Sequence, residues 1–295
     1  MRFWLVILLC MAASVRAAEP LPEAPFLWQL NVGGVTHYLQ GTIHALPLRL
    51  RALPPGLLAA REQVDVIAVE ALLEASTPRD LTNVVASLTE TDKLGLRARV
   101  GPEWFARFEK AVRAQGLEVE RFHRLRPWFA ANMLSAFAEL EVGHSLLNGV
   151  DYQIFNLSRR EKRIVALESD DAHRAIESGL PDAVSMEMFR HTLEELEAPD
   201  HSPDRLAELW RRNDQAGMQA LAARVRRDSP GFYSRFIAER NAAWQPRLLK
   251  MLRSDQPHLI MAGALHMPGP QGLLAMLGRA GYRPQPFSPA PPSAP

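Results

Sequence analysis

The feature that most restricts the fold of this chain is a set of short apolar runs set among long helical stretches. Residues 64–70, VDVIAVE, are rich in β-branched side chains and end on Glu70. Residues 163–168, RIVALE, have the same form and end on Glu168. Residues 258–263, HLIMAG, run into Gly263-Ala264-Leu265-His266. Runs this short suit buried strands. Near the start, Trp28, Leu30 and Val32 precede Gly33-Gly34, and Val35, His37 and Leu39 follow. Two runs around a Gly-Gly pair read as a β-hairpin, whose second strand continues into Gly41-Thr42-Ile43-His44.

The intervening segments carry helical signals. Pro102 stands near the start of a stretch with Trp104, Phe105, Phe108 and Val112 on one side, and Pro127 opens another with Phe129, Met133, Phe137 and Leu140. Met186, Phe189, Leu193 and Leu196 keep helical spacing. Ser202-Pro203 reads as an N-cap and first turn before Leu206, Leu209 and Trp210. Residues 230–253 place Tyr233, Phe236, Ile237, Trp244 and Leu248 on a stripe, and a last helix carries Leu273, Leu274 and Leu277. The stripes read as core faces. Strands alternating with helices give an α/β chain. No linker interrupts residues 18–287, so they are read as a single domain. Disorder is expected in the Pro-rich end, residues 284–295, and residues 288–295 are taken as the tail.

The first residues bear on compartment. Arg2, the apolar run Phe3 to Ala13 and Val15-Arg16-Ala17 make a signal-peptide pattern over residues 1–17. The run is about half the ~20 residues a membrane span needs. The expected location is therefore the periplasm or outside the cell, with no stable membrane span after cleavage. Cys10 is the only cysteine. Its removal excludes disulfides, thiolate metal ligands and cysteine nucleophiles from the mature chain. With 34 basic and 33 acidic residues, charge gives no reason to expect nucleic acid as a partner. The cluster of Arg159, Arg160, Lys162 and Arg163 has acidic neighbours and reads as solvated surface.

The apolar runs end in His44, Glu70, Glu168 and His266. Ligands bind outside the carboxyl ends of strands in open α/β sheets. If these strands share a sheet, two imidazoles and two carboxylates meet on one edge. The Gly-x-x-His unit occurs twice, and a glycine after a strand lets the chain turn sharply. The other histidines, among them His37, His173 and His258, get structural readings. Gly143-His144-Ser145 is not a nucleophile elbow, because Leu147 stands where the last glycine belongs. There is also no H-E-x-x-H, P-loop or G-x-G-x-x-G strand-turn-helix unit.

LWQLNVGGVTHYLQGTIH resembles the opening of the TraB/GumN family, which includes the Tiki-type metalloproteases. VDVIAVE, Arg126-Pro127-Trp128, Gly149-Val150-Asp151, Leu167-Glu168, Arg240-Asn241, GALHMPG and Gly281-Tyr282 follow the family's order over roughly residues 27 to 287. The family's fold is similar to that of the erythromycin-esterase and ChaN-like group. The resemblance implies a central mixed sheet flanked by helices, with a large helical segment between the N- and C-terminal strands. It also implies peptide-bond cleavage with a divalent metal.

Three functions follow as expectations. In the first, a metal-dependent hydrolase, His44, Glu70 and His266 hold a divalent ion such as manganese, cobalt or zinc. Glu168 then acts as base or orienter, and Arg240, with Asn241, stabilises an oxyanion or grips a substrate carboxylate. A metal-free variant uses one histidine as base with Glu70 as its orienter. In the second, the same pocket captures a peptide or small ligand without cleaving it. In the third, the helical middle is an interaction module.

Overall fold

The computed structural model describes residues 22–47, 52–72, 94–198, 202 and 204–288. The expected signal peptide, residues 1–17, lies outside the described residues, as do residues 289–295 of the tail.

The hairpin forms as expected. Strands β1 (Leu27–Val32) and β2 (Val35–Thr42) pair antiparallel across Gly33 and Gly34, whose φ values of 57° and 87° suit glycine. Then come β3 (Leu46–Pro47), α1 (Pro55–Glu62) and β4 (Val66–Val69), the last buried at every position. Helices α2 (Gly95–Val100), α3 (Pro102–Ala114) and α4 (Pro127–Glu141) follow, with β5 (His144–Ser145) and α5 (Val150–Ser158) after them. Strand β6 (Arg163–Ala166) leads into α6 (Asp170–Ser178), α7 (Asp182–Glu197), α8 (Arg205–Arg211) and α9 (Gln215–Asp228). A short α10 (Pro230–Phe232) passes through a π-helical stretch, Tyr233–Ala238, into α11 (Glu239–Leu252). Strand β7 (His258–Gly263), α12 (Leu273–Arg279) and β8 (Gln285–Pro286) complete the chain.

Among the described residues, six strands form one mixed sheet in the order β6-β4-β7-β2-β1-β8. The neighbours β6, β4, β7 and β2 are parallel, whereas β1 is antiparallel to β2 and β8. Strands β3 and β5 make a separate two-stranded ladder. The central mixed sheet with surrounding helices is thus the observed fold. Among the described residues, apolar side chains collect in two clusters. One surrounds the sheet and includes Leu39, Ile67, Leu259, Trp210 and Trp244. The other joins α2, α3, α4 and α7 through Leu96, Phe108, Phe122, Leu134 and Phe189.

Two expectations need correction. The Pro-rich end is not irregular from residue 284, because Gln285–Pro286 forms the edge strand β8. Proline is tolerated there because an edge strand has an unpaired side. The Ser202-Pro203 cap is replaced by Asp204, which precedes Arg205–Arg211; Pro203 lies outside the described residues. The Asp204 carboxylate does not cap the helix but meets His144 Nε2 at 2.5 Å. Among the described residues no helix is long and apolar enough to cross a membrane.

Candidate active site

Strand order sets the order of groups along one edge of the sheet. Thr42, the last residue of β2, pairs with Gly263, the last of β7, so His44 and His266 emerge from adjacent parallel strands. Val69 of β4 pairs with Ala166 of β6, and the ladder continues through Leu167 N–H to Val69 O and Glu168 N–H to Glu70 O. The rim therefore runs Glu168, Glu70, His266, His44. Gly263 marks where three of them meet. A Cβ built there would lie 3.3 Å from His44 Nε2, 3.4 Å from Glu70 Oε1 and 3.6 Å from His266 Cδ2.

Each imidazole is anchored through Nδ1. His44 Nδ1 pairs with Asp151 Oδ2 at 3.0 Å. Asp151 stands in the first turn of α5, where the helix dipole favours a carboxylate. The start of α5 can approach because Gly149 has no side chain: a Cβ there would come within 2.2 Å of His44 O. Val150 N–H donates to Ile43 O at 2.9 Å and fixes the crossing. His266 Nδ1 meets Asn241 Oδ1 at 2.7 Å, and Asn241 Nδ2 donates to the carbonyls of His266 and Gln271. With Nδ1–H donating in both rings, the neutral His266 ring carries its lone pair on Nε2, and His44 does so once its ring loses the second proton. His266 is buried, whereas His44 is 56% exposed and open to the cleft.

The carboxylates are gripped by Arg240. Its Nη2 donates to Glu70 Oε2 and to Glu168 Oε1, both at 2.6 Å, and its Nε donates to Glu168 Oε2 at 3.2 Å. Its Nη1 approaches His266 Nε2 at 3.4 Å. Gly263 N–H donates to Glu70 Oε1 at 2.6 Å. Trp244 Nε1 donates to Glu168 Oε2 at 2.9 Å, and His173 Nδ1 meets Glu168 Oε1 at 2.7 Å. The π-helical stretch ends at Ala238, two residues before Arg240, a position where such stretches often occur.

These contacts set the charges. Burial would raise Glu70, but the fields of His266, Arg240 and His44, with the Gly263 N–H, hold it well below the usual carboxylate range. Arg240, charged at every relevant pH, is the part of that field that persists when His266 is neutral. Burial lowers His266 to about 4; Glu70 opposes this, and Arg240 and His44 reinforce it. The protein packed around the cleft would also lower His44, but the hydrogen bond and charge of Asp151, with Glu70, raise it to about 9, so the ring is charged at neutral pH. Glu168 is held low because the hydrogen bonds of His173, Arg240 and Trp244 outweigh its burial.

A sequence model of the TraB/PrgY/gumN family matches residues 26–286, nearly the whole chain. The chain belongs to this family. No curated protein and no solved structure matches it. The family match spans every rim residue described above, from His44 to His266.

Three partners at this rim of the family member were missed from sequence. The sequence gives His173 only a structural reading and places Trp244 on a core stripe. Trp244 is fully buried but also binds Glu168. Asp151 belongs to the Gly149-Val150-Asp151 motif, which by itself assigns it no role. Above the rim lies a cleft of about 790 Å³ whose walls include Val69, Leu147, Ile176, Phe236 and Met261. Thr42 also lines it, and its buried hydroxyl has no partner among the described residues.

The donors match a metal site in kind: two imidazoles with open Nε2 atoms and one carboxylate. In this arrangement they do not fit one. Glu70 spends one oxygen on Gly263 and the other on Arg240, whose guanidinium stands against His266 Nε2. Among the described residues no three His, Cys, Asp or Glu side chains converge closely enough to hold an ion.

Proposed function

We propose that the chain is a hydrolase that cleaves a carbonyl-centred bond, with peptides as the substrate class. The observation that carries this is the meeting of His44, Glu70 and His266 beside Gly263, beneath a cleft of the size that holds small ligands. In its neutral form, which grows as pH rises toward about 9, His44 takes the proton of the attacking water on Nε2 while Asp151 fixes the ring. Arg240 Nη1 is the donor available to a developing oxyanion, since its contact with His266 is long at 3.4 Å. Glu70 and Glu168 hold Arg240 in place, and Asn241 does the same for His266. Leu146 and Leu147 line the cleft and are well exposed, which favours substrates with apolar side chains.

The test is incubation of the mature protein with a defined panel of peptides and esters, read by mass spectrometry. Product is expected from the wild type and not from His44→Ala. Recovery of every substrate intact after long incubation would favour a binding protein.

A second reading is favoured by the two anchored imidazoles. Here manganese, cobalt or zinc is held by His44, Glu70 and His266 and supplies an activated water at neutral pH. It needs Arg240 to release Glu70. Dialysis against a chelator separates the readings: activity survives in the first, and in the second is lost and returns with manganese.

Export to the periplasm or beyond is part of the same proposal, on the strength of residues 1–17. N-terminal sequencing of the protein from a Gram-negative host should begin at Ala18; a start at Met1 contradicts export.

A further inference from the structure

We infer that Arg240 is the built-in cation of this rim, and that its guanidinium keeps divalent ions off the His44–Glu70–His266 edge. The inference stands on contacts and does not require the hydrolase reading.

Two carboxylates, Glu70 and Glu168, are both largely buried on neighbouring strands. Such a pair must be balanced by positive charge or lose its ionisation. A bound metal would supply that charge in one way, and Arg240 supplies it in another. The guanidinium makes a two-point fork with Glu168 and a single 2.6 Å bond to Glu70. It also lies over the Trp244 ring, with its central carbon 4.6 Å from the ring centroid. Trp244 in turn donates to Glu168, so ring, carboxylate and guanidinium lock one another. On the far side Nη1 faces His266 Nε2.

The fixed charge decides the competition. A divalent ion taking Glu70 and His266 Nε2 would stand a few ångströms from a fixed positive charge. It would also take over the Glu70 lone pairs that Arg240 and the Gly263 N–H already use. Lysine cannot reproduce the fork, because an ammonium is a compact point donor without the planar pair of N–H groups. It does keep the charge.

The prediction is read by isothermal titration with manganese chloride and by the visible absorption of added cobalt, neither of which needs a substrate. Wild type should show no saturable manganese binding. Arg240→Met should bind manganese at least about tenfold more tightly, since removing a unit charge beside the ion removes a direct repulsion. The gained site should disappear in Arg240→Met/His44→Ala. Arg240→Lys, which keeps the charge, should stay without binding. If Arg240→Met fails to fold with two unbalanced carboxylates, Arg240→Met/Glu168→Gln removes one charge of each sign and should show the same gain. Stoichiometric binding by the wild type that is lost in His44→Ala would overturn the inference. So would a folded charge-balanced variant that takes up no more manganese than the wild type.

Discussion

Gly263 sits where three groups of the site come together. Any side chain at this position must share space with His44 Nε2 and Glu70 Oε1, at 3.3 and 3.4 Å from its Cβ. Gly263→Ala should therefore push the His44 ring back by a few tenths of an ångström. It should lower kcat by about 10-fold, because small misplacements of reacting groups are costly. The melting temperature should change little. Unchanged kcat in this variant would mean that the meeting point is not where chemistry occurs. The candidate residues were legible because each ends a short apolar run, and the family's motifs named Arg240 and Asn241. Their partners were not. Asp151 reaches His44 across 107 residues, and His173 looks like any other polar helix position. Trp244 satisfies the helical stripe and the rim at once, and periodicity reports only the first.

Register is the decisive quantity at the level of elements. Thr42 against Gly263 and Val69 against Ala166 bring four strand ends level, which no single strand encodes. The strands themselves were readable from composition, but the order β6-β4-β7-β2 was not, since pairing depends on contacts far apart in sequence. The other ends of β2 and β7 carry a second feature of this register. His37 and His258 are both buried and stack with ring centroids 5.6 Å apart. Neither ring nitrogen of His37 has a partner among the described residues. Burial, then the charge of His258, lowers His37 to about 4 from 6.5. The sign follows directly. Above pH 6.5 neither the folded nor the unfolded chain protonates His37. Between pH 6.5 and about 4 the unfolded chain takes a proton that the folded chain refuses, so stability falls as pH drops. The loss for a group this buried is up to roughly 3 kcal/mol. Urea unfolding at pH 7 and pH 4.5 should show a smaller difference in His37→Leu than in the wild type. An equal difference would place the acid sensitivity elsewhere.

At the scale of the molecule, the apolar residues bury in two clusters. The sheet cluster positions the rim, and the helical cluster carries α4, whose Asn132 lines the cleft. Phe108 is fully buried and packs its ring 5.3 Å from both Phe122 and Phe189. Phe108→Ala should cost about 3–5 kcal/mol in urea unfolding, the usual range for emptying a buried aromatic site. A loss below about 1 kcal/mol would mean that the helical cluster adds little to global stability. The division into clusters was not visible in sequence, because apolar stripes on α3, α4 and α7 do not say whether they face the sheet or one another.

The claim that joins these scales is that the rim uses water to break a bond. Its most direct measurement is reaction of the peptide and ester panel in water enriched in oxygen-18, with mass spectra of the products from wild type and His44→Ala. The account predicts one heavy oxygen in the new carboxyl group with the wild type and none with the variant. Label appearing equally with both proteins, or unlabelled substrate recovered from both, would contradict it.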